Sequence, residues 1–199
     1  MAVGKLKNDV RGTSGIYNCS SRMKLTITLG MFAVLVGVMK VMAFKSHEHF
    51  SWEVVDDRVM GGRSNSKLNQ VDHGWRWEGR LSYENQGGFS SIRTNWNQGF
   101  LQGTDSIVIQ VRGSERVFKF RLESSPRYYD PVFEMAFLPH ESWQTLILPL
   151  ELFEATVLGK PMRNASIDFN TSSMGRMGMM CNSGEAGEFW LEFQPIELR

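Results

Sequence analysis

The residues with the clearest potential for chemistry lie in VDDRVMGGRS, from Val55 to Ser64, where two acids precede a methionine and two glycines. Carboxylates bind hard cations such as Ca²⁺, but these ions take six or more oxygen ligands, and two adjacent side chains supply few. Asp56 and Asp57 can instead accept hydrogen bonds from the backbone amides just after them, as in Asx turns. The segment therefore predicts a structural loop, with a calcium site as the alternative.

The small and flexible residues of this segment fit the same interpretation. Gly61 and Gly62 can adopt positive φ without steric cost, and Met60 is flexible and apolar, so that it can fill an irregular gap beneath the turn. We count Met60, both glycines and Ser64 with the two acids as residues that shape a binding loop.

A second loop has the same character and lies about 20 residues further along the chain. ENQGGFSSIR, residues 84–93, joins two strands through Gly87 and Gly88. The strand that follows alternates, which places Phe89 and Arg93 on one face. Asn85, the two glycines, Phe89 and Arg93 complete the candidate site residues.

Arg93 is the residue of this set with the strongest potential to contact a ligand. Together with Lys119 and Arg121 on a later strand, it forms a polar binding surface in this interpretation. Four tryptophans would stack on sugar rings or anchor a protein partner if they are exposed. The alternative is that each of them packs in the core. The tryptophans in question are Trp75, Trp77, Trp96 and Trp190.

Other candidates for catalysis or metal binding have little support. His47 and His49 can hold zinc from one side of an extended chain, but no third ligand has a clear spacing, so that a solvated linker is the preferred interpretation. The sequence contains neither a G-x-S-x-G nor an H-E-x-x-H motif, and no phosphate-binding glycine loop. We expect no enzymatic activity, no catalytic residue, no metal and no cofactor.

The pattern from Phe50 onward is typical of an all-β domain, because short alternating runs recur between turn residues. The runs are 76–83, 88–96, 105–113, 116–124, 131–139, 142–150, 173–181 and 187–198. Helical periodicity is confined to one short turn at 150–156. Alternation points Phe118, Phe120 and Leu122 to one face of their strand. About eight or nine strands in some 150 residues predict a two-sheet jelly-roll sandwich.

The two loops together resemble the CIA30 family, named for complex I intermediate-associated protein 30. The resemblance is carried by W-x-V-V-DDRVMGGRS, then GRLSYENQGGFSSIR, then Trp143 with LPL and Phe153, and it covers residues 50–197. It implies a galactose-binding-domain-like jelly roll. It also implies that eukaryotic relatives act as assembly factors for respiratory complex I.

The N-terminal part of the chain differs from the rest in charge and hydropathy. Residues 1–44 hold six basic residues and one acidic one, a net charge of +5. Because the whole chain has a net charge of +1, residues 45–199 have a net charge of −4. Residues 25–44 are apolar except for two threonines and Lys40, and they follow Arg22 and Lys24. This pattern predicts a membrane anchor helix, or a signal peptide that begins at Met23 and is cleaved before Phe44.

The predicted organisation has three parts. Residues 1–22 are disordered or precede the true start, which is Met1 or Met23; residues 23–44 are the signal peptide or anchor helix; and residues 45–199 form the β-sandwich domain. Cys19 and Cys181 lie on opposite sides of the apolar segment, and no disulfide is expected. The protein is expected to be membrane-anchored or exported, on the periplasmic side if bacterial.

These observations favour a binding module over an enzyme. The first interpretation is a chaperone-like role in respiratory-complex assembly through protein–protein recognition, and the alternative is an exported carbohydrate-binding module. The partner is thus a protein or a carbohydrate, with membrane contact through residues 25–44 if they are not cleaved. Nucleic acid is not an expected partner, because the chain has no strong basic excess.

Overall fold

The computed structural model of the chain describes residues 50–162 and 169–199. Within these residues, strands account for nearly all the regular structure, and every strand pairing is antiparallel. In chain order the strands are β1 (Trp52–Asp56), β2 (Asn65–Val71), β3 (Gly74–Leu81), β4 (Ser90–Thr94), β5 (Ser106–Gly113), β6 (Phe118–Glu123), β7 (Val132–Phe137), β8 (Gln144–Pro149), β9 (Glu154–Val157), β10 (Lys160–Pro161), β11 (Arg176–Cys181), β12 (Gly187–Phe193) and β13 (Glu197–Leu198). Short 3₁₀ helices span Asp57–Met60, Glu84–Gln86, Leu150–Leu152 and Thr171–Ser173.

The strands form two sheets. The seven-stranded sheet has the order β1-β4-β11-β6-β7-β9-β10, and the six-stranded sheet has the order β13-β5-β12-β3-β2, with β8 also paired to β5. The prediction of an all-β sandwich of two sheets is therefore confirmed. Each of the eight alternating runs overlaps at least one of these strands.

The core lies between the inner faces of the two sheets. The side chains of Phe118, Phe120 and Leu122 are fully buried, as the alternation of β6 predicts. Trp77 of the six-stranded sheet reaches across to Phe118, and their ring centroids are 5.8 Å apart. Full burial of a large apolar side chain contributes about 1.5–3 kcal/mol. Alternation therefore determines which face of each strand is left for a ligand or partner.

One predicted helical turn differs in the structure, and two other predictions concern residues that the structure does not describe. The helical turn expected at 150–156 is one turn of 3₁₀ helix, Leu150–Leu152, after which the chain continues as β9. The apolar helix expected at 25–44 and the histidines at 47 and 49 lie outside the described residues. In the part that is described, no helix combines the length and the hydropathy that a membrane span requires.

Candidate functional site

The first feature of the site is a buried carboxylate that connects the two glycine loops. The side chain of Asp57 follows β1 and is almost fully buried. Its Oδ1 accepts from the backbone N–H of Ser64 at 2.9 Å, and its Oδ2 accepts from Ser64 Oγ at 2.6 Å. The backbone N–H groups of Gly88 and Phe89 also donate to Oδ2, at 2.6 and 3.3 Å. One side chain thus fixes the loop after β1 to the loop before β4.

The balance of burial and hydrogen bonding determines the charge state of Asp57. Burial on its own raises the pKa of this carboxyl, but the hydrogen bonds from Ser64, Gly88 and Phe89 outweigh it and hold the pKa below its ordinary value. Asp57 is therefore an ionised structural acceptor near neutral pH. Its partners are Ser64 and the second loop rather than the amides directly after it, so the expected Asx turn is wrong in detail.

The neighbouring acid has a similar role on the other side of β1. Asp56 accepts from the backbone N–H and Oγ of Ser66, both at 2.9 Å, and from Ser90 Oγ at 2.6 Å. Ser66 Oγ in turn accepts from Nε1 of the buried Trp77 at 3.1 Å. Both carboxylates thus have protein donors, and the described residues contain no group of three or more metal-ligating side chains.

The glycines allow the loops to approach the Asp57 carboxylate closely. Gly61 has a positive φ of 88°, whereas Gly62 does not, so the expectation of positive φ at Gly62 is wrong. Gly62 is nevertheless constrained, because a Cβ there would overlap the carboxyl group of Asp57. A Cβ at Gly87 would lie 2.5 Å from Asp57 Oδ2. The two loops therefore enclose the carboxylate from opposite sides.

Met60 does not fill a gap beneath the turn, as the sequence pattern predicted. Its side chain is 72% exposed, and that of its neighbour Val59 is 74% exposed. The reason is that Asp57, with its hydrogen bonds, already occupies the space beneath the loop. Asn85 donates from Nδ2 to the carbonyl oxygen of Gly61 at 3.2 Å and closes the loop from the other side. The loop thus presents apolar side chains outward.

Beside this loop, the outer face of the seven-stranded sheet contains a groove of about 480 Å³, which we call the outer groove. Its floor is formed by side chains from β4, β6 and β11, and its walls by the loop after β1 and the loop before β7. The lining residues are Val59, Met60, Phe89, Arg93, Arg121, Glu123, Pro126, Arg127, Tyr128, Val132, Arg176 and Met180.

The register of the sheet explains why two arginines lie side by side in the floor. Gly178 of β11 is opposite Arg93 on one side and opposite Arg121 on the other. A Cβ at Gly178 would lie 2.7 Å from the carbonyl oxygen of Ile92 and 3.6 Å from the Cγ of Arg93. The absence of a side chain at Gly178 therefore leaves space between the two guanidinium groups.

Most charged groups around the outer groove are paired. Arg176 donates to Glu123 through Nε at 3.0 Å and also through a terminal nitrogen. Glu134 lies 3.0 Å from both Lys119 Nζ and Arg121 Nε, although Arg121 Nε is not aligned to form a hydrogen bond. The sequence prediction that groups Lys119 and Arg121 with Arg93 on one face agrees with this geometry.

Arg93 is the exception. Its Nε is buried without a hydrogen-bond partner, and among the residues that the structure describes its guanidinium forms no ion pair. Burial lowers the pKa of Arg93, and repulsion by Arg176 and Arg121 acts in the same direction against the attraction of Glu123 and Glu53. A partly buried cation without a protein partner is the expected property of a group that binds a ligand.

The outer face of the six-stranded sheet shows the opposite situation. Its charges form a ladder in which Lys67 and Arg76 pair with Glu78, and Arg76 and Arg112 pair with Glu192, at distances of 2.6–3.0 Å. Such a network satisfies its own members and leaves little attraction for an external ion.

The tryptophans do not form an exposed platform in the outer groove. Trp77 is fully buried, and Trp75 stacks on Phe193 at 5.5 Å between ring centroids. Trp190 lies under Arg76 at 4.7 Å, on the opposite sheet. Trp96 is 38% exposed and lies beside Arg176, but it does not line the groove.

Sequence reasoning missed part of the groove. Tyr128, in the wall, is 79% exposed, and Glu123 and Arg176 form an ion pair in the floor. The alternation of β6 indicates that Glu123 shares a face with Arg121. No local pattern indicates that the loop containing Tyr128 folds over this face, because that position depends on tertiary structure.

One protein-family model matches most of this chain. The family model described as Complex I intermediate-associated protein 30 (CIA30) matches residues 42–193, which is well over half of the chain. No match was found among curated proteins.

Solved structures with a similar fold include two of the family 11 carbohydrate-binding module of Clostridium thermocellum. One, from the cellulosomal cellulase Lic26A-Cel5E, has a TM-score of 0.55 and 14% identity, and the match covers 78% of this chain and 92% of that one. The other is in complex with a beta-1,3-1,4-mixed-linked tetrasaccharide; its TM-score is 0.54 at 16% identity, with coverage of 78% and 91%. At these identities the similarity concerns the fold alone.

Proposed function

Because this chain belongs to the CIA30 family, we propose that it is a non-enzymatic binding module that assists assembly of a respiratory, complex I-type membrane complex by recognising a protein partner. The observation that supports this proposal is the composition of the outer groove. Exposed apolar side chains, Met60 and Tyr128, lie beside a cation without a protein partner, Arg93. Protein segments combine apolar and charged groups, and arginine and aromatic residues are common binding hot spots.

The loop residues have a supporting role in this mechanism. Asp57 fixes the two glycine loops, so that Met60 and Phe89 are held at the groove before a partner arrives. A rigid site loses less conformational entropy on binding than a mobile one. The proposed function therefore assigns Asp57 to positioning and Arg93 to contact.

The experiment compares two matched surface variants in the cell that encodes the chain. Tyr128→Asp places a charge on the groove wall, and Ile147→Asp places one at a 60% exposed position of β8, in the other sheet. The chromosomal copy is replaced by each variant, and assembled complex I is measured on native gels together with NADH–quinone reductase activity. We expect Tyr128→Asp to lower both to the level of a deletion strain, and Ile147→Asp to leave them unchanged.

Two results contradict the proposal. A deletion strain with a normal amount of complex I removes the assembly role altogether. Full complementation by Tyr128→Asp removes the outer groove from that role. Comparable protein levels for both variants, measured by immunoblot, are the required control.

Carbohydrate binding is the second candidate, and one feature of the groove favours it. The ring of Tyr128 is 79% exposed above arginine and glutamate side chains, and this combination can stack on a sugar ring and bind its hydroxyl groups. Affinity electrophoresis in gels with mixed-linkage β-1,3-1,4-glucan tests it. Retardation of the wild-type chain that is lost in Tyr128→Asp supports this candidate, and equal mobility with and without glucan rejects it.

We further propose that residues 23–44 anchor the binding domain, residues 45–199, to a membrane or direct its export. The basis is the apolar composition of residues 25–44 and the basic residues before them. N-terminal sequencing of the mature protein tests the two alternatives. A start at Phe44 indicates cleavage and export, and retention of residues 25–44 in a membrane fraction indicates an anchor.

A further inference from the structure

We propose that the outer groove binds a carboxylate side chain of an acidic segment in the partner protein, with the carboxylate held by Arg93 and the flanking apolar residues packed on Met60 and Tyr128. This inference rests on the proposed function, because it names the chemistry of the partner segment.

Arg93 has unsatisfied hydrogen-bonding capacity. A guanidinium carries five N–H donors and always prefers acceptors for them. Arg93 Nε is buried without a partner, and Arg121 Nε beside it also lacks a hydrogen bond. Buried donors without acceptors cost free energy, which an entering acceptor recovers. A carboxylate fits best, because its two oxygens match the planar fork of an arginine.

The charged side chains in and around the outer groove do not balance. In the floor of the outer groove, in the ion pairs beside it and opposite Arg93, five cationic side chains meet four acidic ones. They are Arg93, Lys119, Arg121, Arg127 and Arg176 against Glu53, Glu123, Asp130 and Glu134. One positive charge is left over. Lys119 and Arg121 share Glu134, and Arg93 has no ion pair among the described residues, although Glu53 lies opposite it in register. A single carboxylate neutralises this set of side chains.

Exposed apolar side chains flank the charge. Val59, Met60 and Tyr128 are 74%, 72% and 79% exposed, and all three line the groove. A small inorganic anion makes no use of these side chains, whereas an acidic residue between two apolar residues contacts them and Arg93 together. The combination therefore favours an acidic protein segment over a free anion.

The test uses the full chain in detergent micelles and two peptides that differ in one group. The probes are acetyl-Gly-Leu-Glu-Leu-Gly-amide and the same peptide with glutamine in place of glutamate. Binding is followed by NMR of the arginine Nε–Hε and methionine methyl signals. We expect the glutamate peptide to shift the signals of Arg93 and Met60, and the glutamine peptide to bind about tenfold more weakly.

Matched variants connect this difference to one residue. Arg93→Gln should abolish the preference for the glutamate peptide without lowering the melting temperature, because no described protein partner is lost. Arg80→Gln, at an exposed position of β3 without a described ion pair, should keep the preference. An unchanged melting temperature separates loss of binding from loss of folding.

Four outcomes overturn the inference: equal binding of both peptides, binding of neither, an Arg93→Gln variant that keeps the preference, or inorganic phosphate that shifts the Arg93 signal at a lower concentration than the glutamate peptide. Its failure is distinguishable from failure of the proposed function. If Tyr128→Asp still blocks complex I assembly, only the carboxylate inference is rejected. If Tyr128→Asp assembles the complex normally, the groove has no role in assembly whatever the peptides do.

Discussion

Replacing Asp57 with asparagine tests whether one buried carboxylate holds the two glycine loops together. Asn keeps a single oxygen and introduces an NH₂ group, whereas Asp57 accepts four hydrogen bonds, from Ser64, Gly88 and Phe89. In either orientation of the amide, at least one N–H donor faces another donor. Because a hydrogen bond to a charged group contributes about 1.5–3 kcal/mol and the remaining bonds weaken, we expect the free energy of unfolding to fall by about 2–4 kcal/mol.

The assay is urea unfolding at pH 7, monitored by tryptophan fluorescence. Asp72→Asn is the matched control, since Asp72 is exposed in the turn between β2 and β3, and its change should stay within about 0.5 kcal/mol. A loss below about 0.5 kcal/mol in Asp57→Asn would refute the assignment of Asp57 as the connection between the loops.

The same pair of proteins gives a pH dependence with a defined sign. The pKa of Asp57 is lowered in the folded state, so the unfolded chain binds its proton more readily. The stabilisation is complete above the unfolded pKa of about 3.9 and is lost as pH falls through the folded pKa. The difference between wild type and Asp57→Asn should therefore be constant from pH 5 to 7 and shrink below about pH 4. A difference that grows on acidification contradicts this account.

Three further predictions concern the site and the core. Gly62→Ala should destabilise the wild type by about 1–3 kcal/mol but the Asp57→Ala variant by at least about 1 kcal/mol less; additive urea unfolding data would show that Gly62 does not pack on that carboxyl. Arg176→Gln leaves Glu123 buried without its ionic partner and should cost about 2–4 kcal/mol, and an unchanged urea midpoint would exclude a structural role for this pair. Burial raises the pKa of Cys181 to about 11, so with the other cysteine replaced by serine, labelling by a thiol reagent at pH 8 should be about 100-fold slower in the native protein than in urea; equal rates would mean that the thiol is accessible.

The alternation of apolar and polar residues was sufficient to predict the two-sheet sandwich but not to identify every strand in it. β6 and β12 have clear patterns because one face of each is buried in the core, as Phe118 and Phe189 show. β2 was not identified as a separate run, because NSKLNQV is polar and only Ser66 and Leu68 are partly buried. A strand at the edge of a sheet has few buried positions, and its pairing with β3 depends on the partner strand rather than on its own composition.

The candidate site was predictable in its composition and less so in its geometry. Acids and glycines indicated two structural loops, and the structure shows in addition that the Asp57 carboxylate connects them. The hydrogen bond between Asp57 and Gly88, which are 31 residues apart in the chain, could not be predicted from either loop alone. Met60 was misassigned for the same reason, because its environment depends on which group occupies the space beneath the loop. The loop with Tyr128 has no local signal of its position.

The outer groove is proposed to contact a protein of the respiratory complex, and site-specific photo-crosslinking in cells detects such a contact. A benzophenone amino acid replaces Met60 in the groove wall or Ile147 on the other sheet, both exposed, and cells are irradiated during assembly of the complex. We predict that the probe at Met60, and not at Ile147, becomes linked to a subunit of a complex I-type assembly, and that Arg93→Gln abolishes the product. No product at Met60, or equal products at both positions, would contradict the account.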